Sequence, residues 1–319
     1  MGPLGIELNR HVYPGSPRDT AAKSALIFML LAGCTAREEL PQATEPETQA
    51  KNQPVHSPTE STPAKQPKGL QPGSPPSTGE GFTLDDLSLD MVWVRRGSFT
   101  MGSVGPKSPQ NEKPASLITL SKGFWIARTE TRQDLYQRLM NENPSQDKGP
   151  DQPVENVAFF DARGFCRQLT NIEKEHQRLP DGYKYQLPTE AQWEFAAKGG
   201  IPGKDEKAPT LTDAAWHRNN SNNGTHPVAV KVSNILGLHD MQGNVFELCD
   251  GLAAPYPGRH VIDWKGKSLN RLRVARGGSW FSNPEQCTRT FRLELPPDYP
   301  MAHVGFRVAL VFVKESGNP

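Results

Sequence analysis

Two carboxylates seven residues apart bracket a glycine in the segment Asp240-Met-Gln-Gly243-Asn-Val245-Phe-Glu247. Calcium takes about six to eight oxygens, from carboxylates and backbone carbonyls on a tightly turned loop. Gly243 permits such a turn. The same segment also reads as an ordinary acidic turn with Glu247 satisfied by an arginine such as Arg276. The four cysteines, Cys34, Cys166, Cys249 and Cys287, form no Cys-x-x-Cys zinc pair. There is no Gly-x-Ser-x-Gly elbow and no phosphate loop. The eight histidines include no two that are three or four residues apart, so none pair on a helix face as metal ligands. His239 and His303 read as surface or hydrogen-bonding groups rather than as catalysts.

The elements that must position these residues lie in the second part of the chain. All six tryptophans fall between Trp93 and Trp280. Met91–Val94 and Gly123–Ala127 read as strands, and Gly97–Gly102 as a turn leading into another. Thr131 is placed to cap a helix over Gln133–Met140, where Leu135, Tyr136, Leu139 and Met140 recur at helical spacing. Asn156–Leu169 reads as a second amphipathic helix with Phe160, Gly164, Phe165 and Leu169 on one face. Thr189 can cap a third helix, with Glu190 in its first turn, and Gly199-Gly200 ends it. From Gly200 onward the pattern is short strands between Gly, Asn and Pro. The mixture predicts an α+β fold in one irregular domain, residues 84–315.

The N-terminus reads as an address. Ser24–Gly33 is one short apolar run behind Arg18 and Lys23, the form of a secretory signal over residues 1–33. Leu31-Ala32-Gly33-Cys34 resembles the lipobox of bacterial lipoproteins, which implies lipidation at Cys34. The segment before Lys23 is long for such a signal, consistent with a start codon downstream of Met1. Thr35–Gly81 has no aromatic residue, and nine prolines fall between Pro41 and Pro76. Such a stretch buries too little apolar area to offset chain entropy, so residues 34–83 read as a disordered Pro-rich tether. Thr35 after the lipid cysteine favours the outer membrane of a Gram-negative cell, on its periplasmic face or at the surface. The chain carries 36 Lys and Arg against 35 Asp and Glu, for a net charge of +1. That balance argues against nucleic acid as a partner and against a polybasic membrane patch.

Five stretches, in order, resemble the formylglycine-generating enzyme, or sulfatase-modifying factor, family. They are Met91-Val-Trp-Val-Arg-Arg-Gly-Ser-Phe-Thr-Met-Gly102, Tyr185-Gln-Leu-Pro-Thr-Glu-Ala-Gln-Trp-Glu-Phe195, Gly237-Leu-His-Asp-Met-Gln-Gly-Asn-Val-Phe-Glu-Leu248, Arg276-Gly-Gly-Ser-Trp280 and Gly305-Phe-Arg307. The resemblance implies a formylglycine-generating-enzyme-like domain related to C-type lectins, with little regular secondary structure. It also implies calcium at Asp240, Gly243, Val245 and Glu247, through two side chains and two carbonyls. The short, amide-rich segment 216–224 does not suit the second calcium of the longer members.

The family's founding activity oxidises a protein cysteine with O2 and Cu(I) held by two cysteines. Those positions fall here at Ser282 and Cys287. A hydroxyl is a poor ligand for Cu(I), which soft thiolates select, so copper is not expected. Cys249 could replace the lost ligand, form a disulfide with Cys287, or lie inert and buried. The disulfide is the favoured of these. Cys166 matches a family cysteine whose partner falls at Val308, so it should be free and buried. The family's tryptophans beside the groove fall at Phe246 and Leu248.

Between the last two motifs, Phe281, Phe291, Leu293, Tyr299 and His303 form an aromatic segment suited to ligand binding. By resemblance it occupies the family's active-site groove. It also resembles the ligand-contacting segment of the variable proteins of diversity-generating retroelements. The first reading is therefore a membrane-tethered lipoprotein whose domain binds a protein or small-molecule ligand, or serves as a scaffold. The alternative is a formylglycine-generating-type oxidoreductase.

Overall fold

The chain divides into two units, Met1–Ser61 and Thr62–Pro319. The computed structural model describes residues 68–200, 210–268 and 271–313, all within the second. The signal, Cys34 and the tether as far as residue 67 lie outside the described residues.

Alternating burial builds the first sheet. β1 (Lys68–Gly69) runs parallel to β2 (Phe82–Leu84), and β2 pairs antiparallel with β3 (Leu89–Val94). Phe82, Leu84, Leu89 and Met91 point inward. The fold therefore begins before residue 84, earlier than composition suggests. A two-residue strand and Leu70, packed on the core, hold the Pro-rich stretch in place without a hydrophobic run of their own. β4 (Gly97–Met101) and β5 (Ser116–Leu120) form a hairpin, and β6 (Phe124–Ala127) returns beside β3.

α1 (Gln133–Met140) follows the predicted bounds, but Thr131 does not cap it. Thr131 is buried, its N–H donates to Phe306 O, and its carbonyl accepts from Val154 N. α2 (Phe159–Glu175) starts three residues later than predicted and runs six further. It buries Phe159, Ala162, Phe165, Cys166 and Leu169, while Phe160 is 52% exposed. A turn of about 100° per residue sends neighbours 159 and 160 to different faces, and the larger apolar set wins the core.

β7 (Tyr183–Gln186) leads to α3 (Glu190–Ala197). Thr189 caps α3 as the sequence predicts: its Oγ1 accepts from Gln192 N at 3.2 Å, and Gln192 Oε1 accepts from Thr189 N at 2.9 Å. After the short α4 (Leu211–Ala214) come β8 (Phe246–Cys249), β9 (Val261–Ile262), β10 (Arg273–Arg276), β11 (Arg292–Leu295), β12 (Val304–Gly305) and β13 (Ala309–Phe312).

The strands make three sheets. The order β1-β2-β3-β6-β13-β7 inserts the last strand between two early ones. The order β11-β10-β8-β12 carries the motif residues, and β4-β5-β9 completes the set. One core packs Met91, Trp125, Tyr136, Phe165 and Phe306 under α1 and α2. A second packs Phe99, Ile118, Trp193 and Phe195 around α3.

Candidate functional site

The acidic loop folds around a buried arginine. Arg307, which precedes β13, forks onto Glu247 of β8, with Nε at 2.6 Å from Oε2 and Nη2 at 2.7 Å from Oε1. Its remaining donors go to the carbonyls of Ala127, Arg128 and His239. Trp193 Nε1 donates to the same Glu247 Oε2 at 2.7 Å. Glu247 is thus satisfied by Arg307 and not by Arg276, which pairs instead with Glu190 and Glu194. Gly243, at φ +83, passes so close to Trp216 that a Cβ would lie 2.2 Å from its carbonyl oxygen. Only glycine fits there.

Asp240 is buried in the left-handed region, at φ +57. Its Oδ2 accepts from Ala229 N at 2.8 Å, and its Oδ1 has no partner among the described residues. Glu130 completes the cluster: it accepts from Asn244 Nδ2 and Val245 N. Three buried carboxylates therefore share one guanidinium. Burial, and then the charges of Asp240 and Glu247, push Glu130 well above the ordinary carboxylate range. Burial raises Asp240 to about 6. An unpartnered buried oxygen and an excess of negative charge suit a cation at Asp240. Glu247, held by three hydrogen bonds, has little lone-pair capacity left. Among the described residues no three His, Cys, Asp or Glu side chains converge as a metal centre, and the calcium set expected here relies on two carbonyls instead.

Ser282 and Cys287, the positions that the resemblance aligns with the family's copper cysteines, lie on the loop after β10. Ser282 is buried, and its Oγ accepts from Ser279 N at 3.0 Å and sits 3.1 Å from Ser279 Oγ. Cys287 is wedged against Gly278, where a Cβ would meet its Sγ at 2.7 Å. Its thiol points at Ser279 O, and burial pushes its pKa to about 12. Cys249 packs in the second core and points at Glu247 O. Burial pushes its thiol well up too. Cys166, Cys249 and Cys287 are all free, so the expected Cys249–Cys287 disulfide does not form. The two thiols face different neighbours, one the β8 strand itself and the other the Ser279 loop. Cys166 is free and buried in the first core, the same cluster that holds Val308.

The aromatic segment opens a cleft of about 210 Å3. Phe281, Phe291, Leu293 and His303 line it together with Ser282 and Phe246. Phe281 is 47% exposed, lies 5.6 Å from the His303 ring and carries the Arg218 guanidinium 4.6 Å over its face. Burial lowers the His303 pKa, so its ring is neutral near pH 7. Tyr299, 38% exposed, stands outside the lining. The other departure from the family pattern, Leu248, is buried in the core rather than in the cleft.

The architecture and motif order match known proteins. A family model described as a sulfatase-modifying factor enzyme 1-like domain matches residues 85–311. The chain belongs to that family. The chaperone protein LppX of Paenibacillus barcinonensis is 30% identical over 257 residues, which cover 65% of this chain and 83% of that protein. The formylglycine-generating enzyme of Streptomyces coelicolor is 31% identical over 183 residues, 50% of this chain and 53% of its own length. The Treponema denticola variable protein 1 superposes with a TM-score of 0.63 at 27% identity, over 72% of this chain and 98% of that one. The resemblance and the irregular α+β fold read from the sequence therefore hold. Sulfatase-modifying-factor membership, however, leaves three site groups unread in the sequence: Glu130, Arg218 and the role of Arg307. Arg307 stands in a recognisable Gly-Phe-Arg motif, which was the available signal. Glu130 and Arg218 have none, because their partners are distant in the chain.

Proposed function

We propose that this chain is an exported, membrane-tethered binding or scaffold protein of the sulfatase-modifying-factor family, with the cleft around Ser282 as its ligand site. One observation carries the reading. The position where the family's copper cysteine falls holds a hydroxyl, Ser282, engaged with Ser279, which leaves Cys287 as a single thiol there. Soft thiolates are needed to hold Cu(I). What remains is an aromatic concavity with a neutral imidazole and one stacked guanidinium, a surface suited to an apolar group of a protein or small molecule. The relative named as a chaperone supports a role in binding rather than oxidation.

In this reading calcium is held by Asp240 and the carbonyls of Gly243 and Val245, with Glu247, bonded to Arg307 and Trp193, offering at most a remaining lone pair. It would neutralise the loop that leads into β8. The lipid at Cys34 would hold the domain at the outer membrane through the Pro-rich tether. Loading the purified chain with Cu(I) and giving it a cysteine peptide and O2 tests the reading. No formylglycine above background is expected, and turnover lost in Cys287→Ala would return the chain to the oxidases. Cys34→Ser should release the protein from membranes, since each buried acyl methylene contributes about 0.8 kcal/mol. Equal membrane association of the variant and the parent would rule out the anchor.

A further inference from the structure

The near-neutral composition conceals an uneven distribution of charge. Among the described residues the interior holds eight Asp or Glu against five Lys or Arg. The surface is therefore more basic than the overall net charge of +1 suggests. A subset of the surface cations lies along one groove, formed by two adjoining cavities of about 620 and 760 Å3 that share Arg163, Lys184, Gln186 and Asp250 in their walls. Arg163 and Arg167 stand one turn apart on the exposed face of α2. Lys184 comes from β7, Arg273 from β10, and Lys122 and Lys267 from flanking loops.

Their usual partners are missing. Asp250 is taken by Lys265 at 2.6 Å, and Asp263 accepts from the Ser121 amide and hydroxyl. The six cations just named make no ion pair among the described residues. Arg273 Nη1 donates to Gly251 O at 2.9 Å and its guanidinium lies 4.0 Å over the Phe159 ring, but its Nε is buried with no hydrogen-bond partner among the described residues. Between the cations the walls carry amides and hydroxyls, namely Gln168, Asn171, Thr189 and Gln192.

We propose that this groove binds an acidic polysaccharide, a chain of sugars bearing uronate or sulfate groups. Guanidinium forks match planar or tetrahedral oxyanions, and two at i, i+4 spacing present successive sites along a chain. Wall amides and hydroxyls suit sugar hydroxyls. A flat bilayer cannot follow cations set on the walls of a concavity. A peptide cannot add to the edge of β7, because Thr170 Oγ1 already accepts from Tyr185 N at 3.0 Å and faces Tyr185 O at 3.3 Å. The groove shares no lining residue with the aromatic cleft and does not depend on its role.

Titrating the full chain with dextran sulfate and with polygalacturonate, against neutral dextran, tests this. Binding is expected to the two anionic polymers only and to weaken as salt rises. Arg163→Gln with Arg167→Gln should reduce affinity about tenfold. Arg96→Gln with Lys107→Gln, exposed cations outside the groove, should leave it within about twofold. Both pairs are at the surface, so unchanged melting curves confirm that the fold is intact. Three results would each overturn the proposal: unaltered affinity in the Arg163/Arg167 variant, equal binding of neutral dextran, or tighter binding of polyglutamate, duplex DNA or phosphatidylglycerol vesicles than of both anionic polysaccharides.

Discussion

Two buried charge clusters lie on either side of Trp193, and they are built on opposite principles. On one side Glu190 and Glu194 of α3 meet Arg276, Arg292 and Lys198. Arg292 reaches Glu190 from Nε at 2.5 Å and from Nη2 at 2.9 Å, and Tyr256 adds a hydroxyl at 3.0 Å. Cations outnumber acids, and nearly every lone pair is used. On the other side Glu130, Asp240 and Glu247 share one buried guanidinium, Arg307, with Lys231 adding a second positive charge near Asp240. Trp193 divides them: its indole N–H donates to Glu247, and Arg276 lies 5.4 Å over its ring. The α3 cluster's one loose end is Arg276 Nε, buried without a hydrogen-bond partner among the described residues; a cluster whose acids are all paired fixes structure. An acid-rich one stays incomplete until a proton or a cation joins it, because a buried unpaired charge costs several kcal/mol.

The largest effects should come from removing the arginines. Arg307→Met strands three carboxylates with no guanidinium and should cost about 3–5 kcal/mol or prevent folding. Arg276→Met leaves Arg292 and Lys198 beside the two glutamates, so its loss should fall at or below the low end of that range. Urea unfolding of the two variants would compare them directly, and an equal or larger loss in Arg276→Met would undo the contrast.

The next prediction concerns pH and calcium. Asp240 titrates at about 6 in the fold against an ordinary 3.8, so folding takes up a proton between those values. Its contribution to stability is complete below about pH 4 and is lost as pH rises through about 6. Calcium should reverse that loss by binding the ionised carboxylate. A hundredfold excess over its Kd contributes about 2.7 kcal/mol. The calcium-induced rise in Tm should therefore be larger at pH 7.5 than at pH 5 and absent in Asp240→Asn. A rise that is independent of pH would place the ion elsewhere.

Smaller changes sharpen the boundary between the clusters. Trp193→Phe keeps the ring but deletes the hydrogen bond to Glu247, and should cost about 1.5–3 kcal/mol. Thr189→Ala removes the cap of the helix that carries Glu190 and Glu194. About 1 kcal/mol is expected by thermal melting, with calcium dependence unchanged.

How much of this was legible depended on the range of the interaction. The cap at Thr189, the bounds of α1 and the strands around Trp93 and Trp125 follow from local patterns, and the structure keeps them. Phe160 faces solvent rather than the core, because its neighbour Phe159 takes the core position. The Pro-rich stretch just before residue 84 looked unstructured because β1 and Leu70 gain their stability from β2 and the core, not from their own sequence. Glu247 was recognisable as an acid needing a cation or an arginine, but its arginine was not: Arg276 pairs directly across from it in the β8–β10 register, yet sends its guanidinium to α3.

The sequence by itself determined the family, the α+β class and the presence of serine rather than cysteine at position 282. These are matters of residue identity and local spacing, which the chain carries in one dimension. Tertiary structure alone decided which charges meet. It placed Arg307 rather than Arg276 on Glu247, kept Cys249 and Cys287 apart, left Asp240 with a free oxygen, and gathered unpaired cations along α2. Residues such as Glu130 and Arg307 are 177 positions apart in the chain. Coulomb energy depends on distance and burial in the folded molecule, and neither is written in the order of the residues.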